Sequence, residues 1–214
     1  MDQNKNFSEF SCADCAAHAC KFETAFPKFC PTPELMQTEG SEVIPRYADD
    51  ENHRIMITAA NVEGEFYGQM CRVEETIEFA KRMGYKKIGL AFCIGLTKEA
   101  NIMAKLLRDY GFEIESAICK IGSVDKVSVG IDKEMADSVG AKMCNPIMQA
   151  EYLNAQGTEM NIVIGLCVGH DMLFNKYAKA PTTTLVVKDR VLAHNPAGAL
   201  YNLDGYYKKL KPKK

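Results

Sequence analysis

From Gly68 onward, apolar and polar residues alternate at helical spacing. Met70, Val73, Ile77, Phe79 and Ala80 fall on one side, with Arg72, Glu74, Glu75, Glu78, Lys81 and Arg82 on the other. This predicts an amphipathic helix that Gly84 stops in the left-handed conformation. A short apolar run, KKIGLAFC, follows as a strand. Thr97 then caps a second helix, whose buried stripe is Ile102, Met103, Leu106 and Leu107 and whose stop is Gly111. FEIESAIC is the next strand, followed by a long connection from Val124 to Gly140 that holds a strand or a short helix at Asp132 to Val139.

Asn145-Pro146 opens another helix. Asparagine is a preferred cap, and proline suits the first turn because its missing N–H has no helical partner there. That helix runs to Gln156, with Gly157 as its stop; NIVIGLC is a third strand, His170 to Lys179 a helix, and the β-branched run after Pro181 a fourth strand. Helices alternating with strands predict an α/β fold, a mostly parallel doubly wound sheet.

The N-terminal part reads differently. Residues 1–34 show little periodicity and form a cysteine-rich metal-binding leader that ends at Cys30-Pro31-Thr32-Pro33. Residues 35–214 form the α/β domain. Its first stretch, to about residue 62, contains one or two helices lying across the sheet, with a boundary near Pro45.

Composition narrows the function. The 214 residues are 47% hydrophobic and 25% charged, ordinary globular values, and a net charge of -2 offers no general field for nucleic acid. The terminal KKLKPKK reads as a solvated tail. No apolar run approaches the roughly 20 residues that span a bilayer, and the polar start MDQNKNFSEFSC has no signal core. Nine cysteines without a secretory signal predict a reducing cytoplasm, where thiols bind metals or do redox chemistry. So many thiols also suit an anaerobe.

Cys12, Cys15, Cys20 and Cys30 follow the spacing C-x2-C-x4-C-x9-C, short enough to gather four thiolates around one centre. Zinc takes a tetrahedral thiolate set and a 4Fe-4S cluster takes one thiolate per iron; the spacing leaves both open. His18, between Cys15 and Cys20, reads as solvent-facing.

A second group arises from topology. Each of three predicted strands ends on a cysteine, Cys93, Cys119 and Cys167, and the carboxyl ends of parallel strands line the ligand crevice. Cys144 opens the helix before the third strand. Cys93 and Cys167 are each followed closely by glycine and precede a helix N-terminus, which favours thiolate; Lys120 would do the same for Cys119. His170, three residues after Cys167, is a ligand, a proton donor or a polar first-turn residue. Cys71 lies inside the first clear helix and reads as packing, while Glu63 and Glu65 read as solvated.

At the leader spacing, the strand endings LAFC-IGL and IGLC-VGHD, and the tail HNPAGALY, the chain resembles the domain of unknown function 1847 family, described as cysteine-rich metal-binding proteins of anaerobic bacteria and archaea. The resemblance covers nearly the whole chain. It implies metal binding and carries no catalytic assignment.

Three functions compete. One is an iron-sulfur or zinc protein whose crevice thiols hold a second centre for redox or sulfur-transfer chemistry, with a small-molecule substrate or an electron-transfer partner. Another is a non-enzymatic small-ligand binding module, in which the leader holds structural zinc and the crevice binds a small anion through glycine-rich turns; it predicts dispersed, buried crevice cysteines. The third is metal storage or delivery. Phosphate-loop, dinucleotide-binding and nucleophile-elbow motifs are absent from the chain.

Overall fold

The computed structural model describes residues 11–22, 24–38 and 40–212. The chain divides into two compact units, Met1–Asn61 and Val62–Lys214. In the first unit, the single helix or helix pair expected before residue 62 becomes several short pieces, Ala19–Phe22, Thr32–Gln37 and Gly40–Val43, then a 3-10 turn, Ile44–Ala48, around Pro45. A longer helix, α1, spans Asp50–Phe66.

The second unit contains helix α2, Arg72–Arg82, strand β1, Lys87–Phe92, helix α3, Thr97–Asp109, and strand β2, Glu113–Ile118. After a connection that holds a short helix at Lys133–Ser138 come helix α4, Pro146–Gln156, strand β3, Met160–Ile164, helix α5, His170–Tyr177, and strand β4, Thr182–Val186. The strands form one sheet in the order β2-β1-β3-β4, and all three pairings are parallel. Ile88 pairs with Ile114 on one side and Met160 on the other. From β1 the chain moves outward to β2 and returns across β1 to reach β3. The ends of β1 and β3 are therefore the point where the strand order reverses, the usual ligand position of an open α/β sheet.

Burial follows this order. All five residues of β3 are buried, as are Ile88, Gly89, Leu90 and Ala91 of β1, whereas β2 and β4 at the edges are more exposed. Strands covered on both faces need continuous apolar runs, which NIVIG and IGLA supply. Gly84, Gly111 and Gly157 end their helices with φ of 71°, 89° and 66°, the left-handed stops that the spacing predicted.

Two helices differ in detail from expectation. In α3 the buried residues are Ala100, Met103, Ala104 and Leu107; Ile102 faces outward, because the helix turns its narrow alanine side to the sheet. Cys71 is exposed and caps α2 from outside, its N–H donating to Glu74 Oε2 at 2.8 Å, so it does not pack inside the helix. Glu65 is engaged as well, accepting both Arg82 Nη1 at 2.9 Å and Nη2 at 2.7 Å. Such exposed pairs contribute little to stability.

Asn145 caps α4 as its sequence predicts, with Oδ1 accepting the Met148 N–H at 3.1 Å. Asn145→Ala should cost about 1 kcal/mol. Urea unfolding checks this, and an unchanged midpoint would remove the cap from the account.

Candidate functional site

The carboxyl edge of the sheet brings the strand-end thiols together. Cys119 follows β2 and is locked by its backbone: its N–H donates to the Phe92 carbonyl at 2.8 Å and its carbonyl accepts the Asn145 N–H at 2.7 Å. Its buried sulfur accepts the Ile94 N–H at 3.3 Å, so the β2 thiol lies against the turn that leaves β1. That second backbone bond also fixes Cys144, the residue before Asn145. The Cys119 and Cys144 sulfurs are hydrogen-bonded to each other. The sequence placed both thiols at one edge, and the structure makes them direct partners.

Cys144 is half-buried and meets two further groups. Lys120 Nζ lies 3.5 Å from its sulfur while donating to the Lys142 carbonyl at 2.7 Å, and His170, the first residue of α5, is a further hydrogen-bond partner. Hydrogen bonds from Cys119 and then His170, helped by the charges of Lys120 and His170, lower the Cys144 pKa from 9.0 to about 4. The Cys119 thiol is raised in turn, first because it donates its proton to Cys144 and next because it is buried. The two sulfurs thus hold one proton between them, with the charge on Cys144. Lys120 serves Cys144, and the expected activation of Cys119 by its sequence neighbour is not what the geometry provides.

A pH profile follows from this pair. In metal-free protein, alkylation of Cys144 by a neutral reagent should persist below pH 7 and fall only toward pH 4, because thiolate is the nucleophile. A midpoint near that of an ordinary thiol would contradict the pairing. The sign for stability is that of a depressed acid: the Cys144 contribution is present above the unfolded thiol value and is lost as pH falls through about 4.

Cys93 and Cys167 flank this pair. Cys93 is buried at the end of β1, its N–H donating to the Ile164 carbonyl at 3.1 Å and its carbonyl accepting the Leu96 N–H at 2.8 Å. It is near enough to Cys119 for its charge to raise that thiol further. Cys167 is half-buried, and its carbonyl accepts the N–H groups of His170 at 2.9 Å and Asp171 at 3.1 Å, forming the mouth of α5. Its sulfur accepts Arg190 Nη2 at 2.9 Å. That hydrogen bond, with the charge of Cys167 and then of Cys93 and Cys144, raises the Arg190 pKa.

Three residues of this region escaped the sequence reading. Arg190 and Lys188 come from the segment just after β4, where the strand-end rule that found the cysteines would also have pointed. Gln149, fully buried on α4, donates Nε2 to the Ala117 carbonyl at 2.7 Å and the Phe92 carbonyl at 3.3 Å. It ties the first turn of α4 to the ends of β1 and β2, and so holds Cys144 in register with Cys93 and Cys119. A glutamine inside an amphipathic helix has no sequence signal for such a role.

In the leader, Cys12 and Cys20 are exposed while Cys15 and Cys30 are half-buried. The C-x2-C step is a 3-10 turn, with the Cys15 N–H donating to the Cys12 carbonyl at 3.2 Å and Ser11 held by Asp14. Among the described residues, no three His, Cys, Asp or Glu side chains surround one point closely enough to hold a single ion, in the leader or in the crevice. No helix is long and apolar enough to cross a membrane among the described residues.

The family model described as "Protein of unknown function (DUF1847)" matches residues 30–185. The matched span includes Cys93, Cys119, Cys144, Cys167 and His170, together with Cys30 of the leader. An uncharacterized protein of Methanocaldococcus jannaschii is 52% identical over 169 residues, 79% of this chain and 86% of that relative. Among solved structures, Dph2 from Pyrococcus horikoshii is similar at a TM-score of 0.32 and 20% identity over 65% of this chain and 33% of that one. The same protein with a 4Fe-4S cluster gives a TM-score of 0.32 and 20% identity over 66% and 34%. This chain therefore spans about a third of the length of those solved chains.

Proposed function

The chain belongs to the domain of unknown function 1847 family, and from that premise we propose that its strand-end crevice is a thiolate-ligated metal centre, an iron-sulfur cluster held by Cys93, Cys119, Cys144 and Cys167. The observation that carries this reading is the thiol-thiolate pair Cys119–Cys144, flanked by Cys93 and Cys167 and faced by Lys120, His170 and Arg190. Four sulfurs from four chain segments are an unusual concentration of soft ligands. Cations around them fit a centre that carries net negative charge.

The chemistry of the donor set favours a cluster over one zinc ion in the crevice. Zinc-sulfur bonds of about 2.3 Å draw four thiolates to within about 4 Å of one another, whereas a cluster takes one thiolate per iron and spaces its ligands more widely. No three of the described side chains meet closely enough for one ion, which suits the wider arrangement, and the Cys119–Cys144 contact would open as each sulfur took its own iron. A cluster bound there would supply one-electron redox chemistry or a place for sulfur transfer.

The chain's own residues then have separable tasks. Lys120 and Arg190 offset the charge of the sulfurs, His170 holds a hydrogen bond to Cys144, and Gln149 fixes the spacing of the strand ends. We propose the leader thiols, Cys12, Cys15, Cys20 and Cys30, as the ligands of a separate centre, zinc or iron-sulfur, on the strength of their spacing.

Anaerobically purified full-length protein should contain iron with acid-labile sulfide. It should also show the broad visible absorbance of a cluster that bleaches on reduction. Colourless protein that binds only zinc after anaerobic reconstitution with iron and sulfide would defeat the iron-sulfur reading.

A further inference from the structure

The segment after β4 brings two cations to the crevice, and only one of them has a sulfur to answer. Arg190 donates to Cys167, whereas half-buried Lys188 has no hydrogen bond or ion pair among the described residues. Its ammonium is directed at the turn that follows Cys93. A Cβ built on Gly95 would lie 3.0 Å from Lys188 Nζ and 3.9 Å from Cys93 Sγ. Gly95 thus leaves the space into which the lysine reaches, beside the N-terminus of α3. A cation without an anionic partner and the helix mouth beside it both favour negative charge in this space.

The segment that carries these cations is built rather than slack. Asp189 Oδ1 accepts the Val191 and Leu192 N–H groups at 2.8 Å each, and the Asp189 N–H donates to His194 Nδ1 at 3.2 Å. Ala193 and His194 both adopt positive φ, 49° and 65°, to close this turn. The Asp189 carboxylate is consumed by the turn, which leaves Lys188 and Arg190 on either side of it.

We propose that Lys188 and Arg190, with the Gly95 turn, form the receptor for a small anionic substrate, a carboxylate or an oxyanion, that binds at the β1/β3 switch point beside the thiols. The inference deepens the reading of the crevice as a thiolate-ligated centre by naming the class of molecule that approaches it. It does not depend on which metal is held.

The test pairs two alkylating reagents of matched shape, anionic iodoacetate and neutral iodoacetamide, on full-length protein after anaerobic metal removal. Mass spectrometry follows each cysteine, and exposed Cys12 and Cys20 serve as internal references. The iodoacetate-to-iodoacetamide rate ratio at Cys93 and Cys167 should exceed that at the references roughly tenfold, as a focused positive field produces. Lys188→Gln and Arg190→Gln should each lower the ratio, whereas Lys188→Arg should retain it. A ratio equal to that of the leader, or one indifferent to both glutamine variants, would overturn the proposal.

If neither reagent enters, calorimetric titration of the metal-free protein with inorganic phosphate, sulfate and succinate decides. Saturable binding of one of them, lost in Lys188→Gln, supports the receptor, and no binding of any refutes it. Iron and sulfide content reports the centre separately, so a protein that binds anions without iron would fail the metal reading alone.

Discussion

Gly89→Ala is expected to destabilise the α/β unit by about 3 kcal/mol or more. A Cβ on Gly89 would lie 2.2 Å from Asn161 Oδ1, 3.0 Å from Leu153 Cδ1 and 3.1 Å from Thr158 Cγ2. Gly89 sits in β1, between β2 and β3, so the strand has no free side toward which to shift. Asn161 is fully buried and accepts a hydrogen bond from Thr158 Oγ1 at 2.9 Å, so moving it aside breaks a buried polar contact. Overpacking costs about 1–3 kcal/mol, and a buried polar group stripped of its partner adds a similar amount. The partner substitution Asn161→Ala should couple with Gly89→Ala by about 1 kcal/mol or more in urea unfolding, since it removes the clashing atom. Strict additivity of the two would mean that the strand yields elsewhere.

That glycine also marks where sequence reading stops. Apolar runs and helix-stopping glycines were enough to find the strands and place their ends, because a parallel sheet constrains every carboxyl end to one side, but they did not give the order β2-β1-β3-β4. The same reasoning put Cys93, Cys119, Cys144, Cys167 and His170 at one edge. Which thiol carries charge was not legible, since that depends on the Cys119–Cys144 hydrogen bond and on Lys120 reaching past its own neighbour. Asn161, Gln149 and Lys188 were invisible for the same reason. Each acts through a contact distant in sequence, and none belongs to a periodic pattern. The short helices before residue 49 were blurred into longer ones because Pro45 and the polar positions around it give no sustained periodicity.

Cys144→Ser is the second large effect expected, and it has two independent readouts. Iron and sulfide attributable to the crevice should be lost, because serine removes the thiolate that Lys120 and His170 are arranged to stabilise. In the metal-free protein, Cys119 should then titrate at lower pH than in the parent, because its largest raising influence is the hydrogen bond to Cys144. Lys120→Met leaves all four sulfurs in place and should weaken iron retention about 10–100-fold, the usual scale for a group that supports a ligand without being one. A Cys144→Ser protein that kept its iron and left Cys119 unchanged would separate the thiol pair from any metal chemistry.

Whether the crevice holds a cluster separate from the leader is decided by anaerobic iron and acid-labile sulfide analysis of two full-length variants side by side. One replaces Cys12, Cys15, Cys20 and Cys30 by serine, and the other replaces Cys93, Cys119, Cys144 and Cys167. The leader variant should retain iron with sulfide and its visible absorbance, and the crevice variant, still folded by circular dichroism, should lose both signals from that centre. Iron and sulfide that vanish with the leader thiols and persist without the crevice thiols would contradict a crevice cluster.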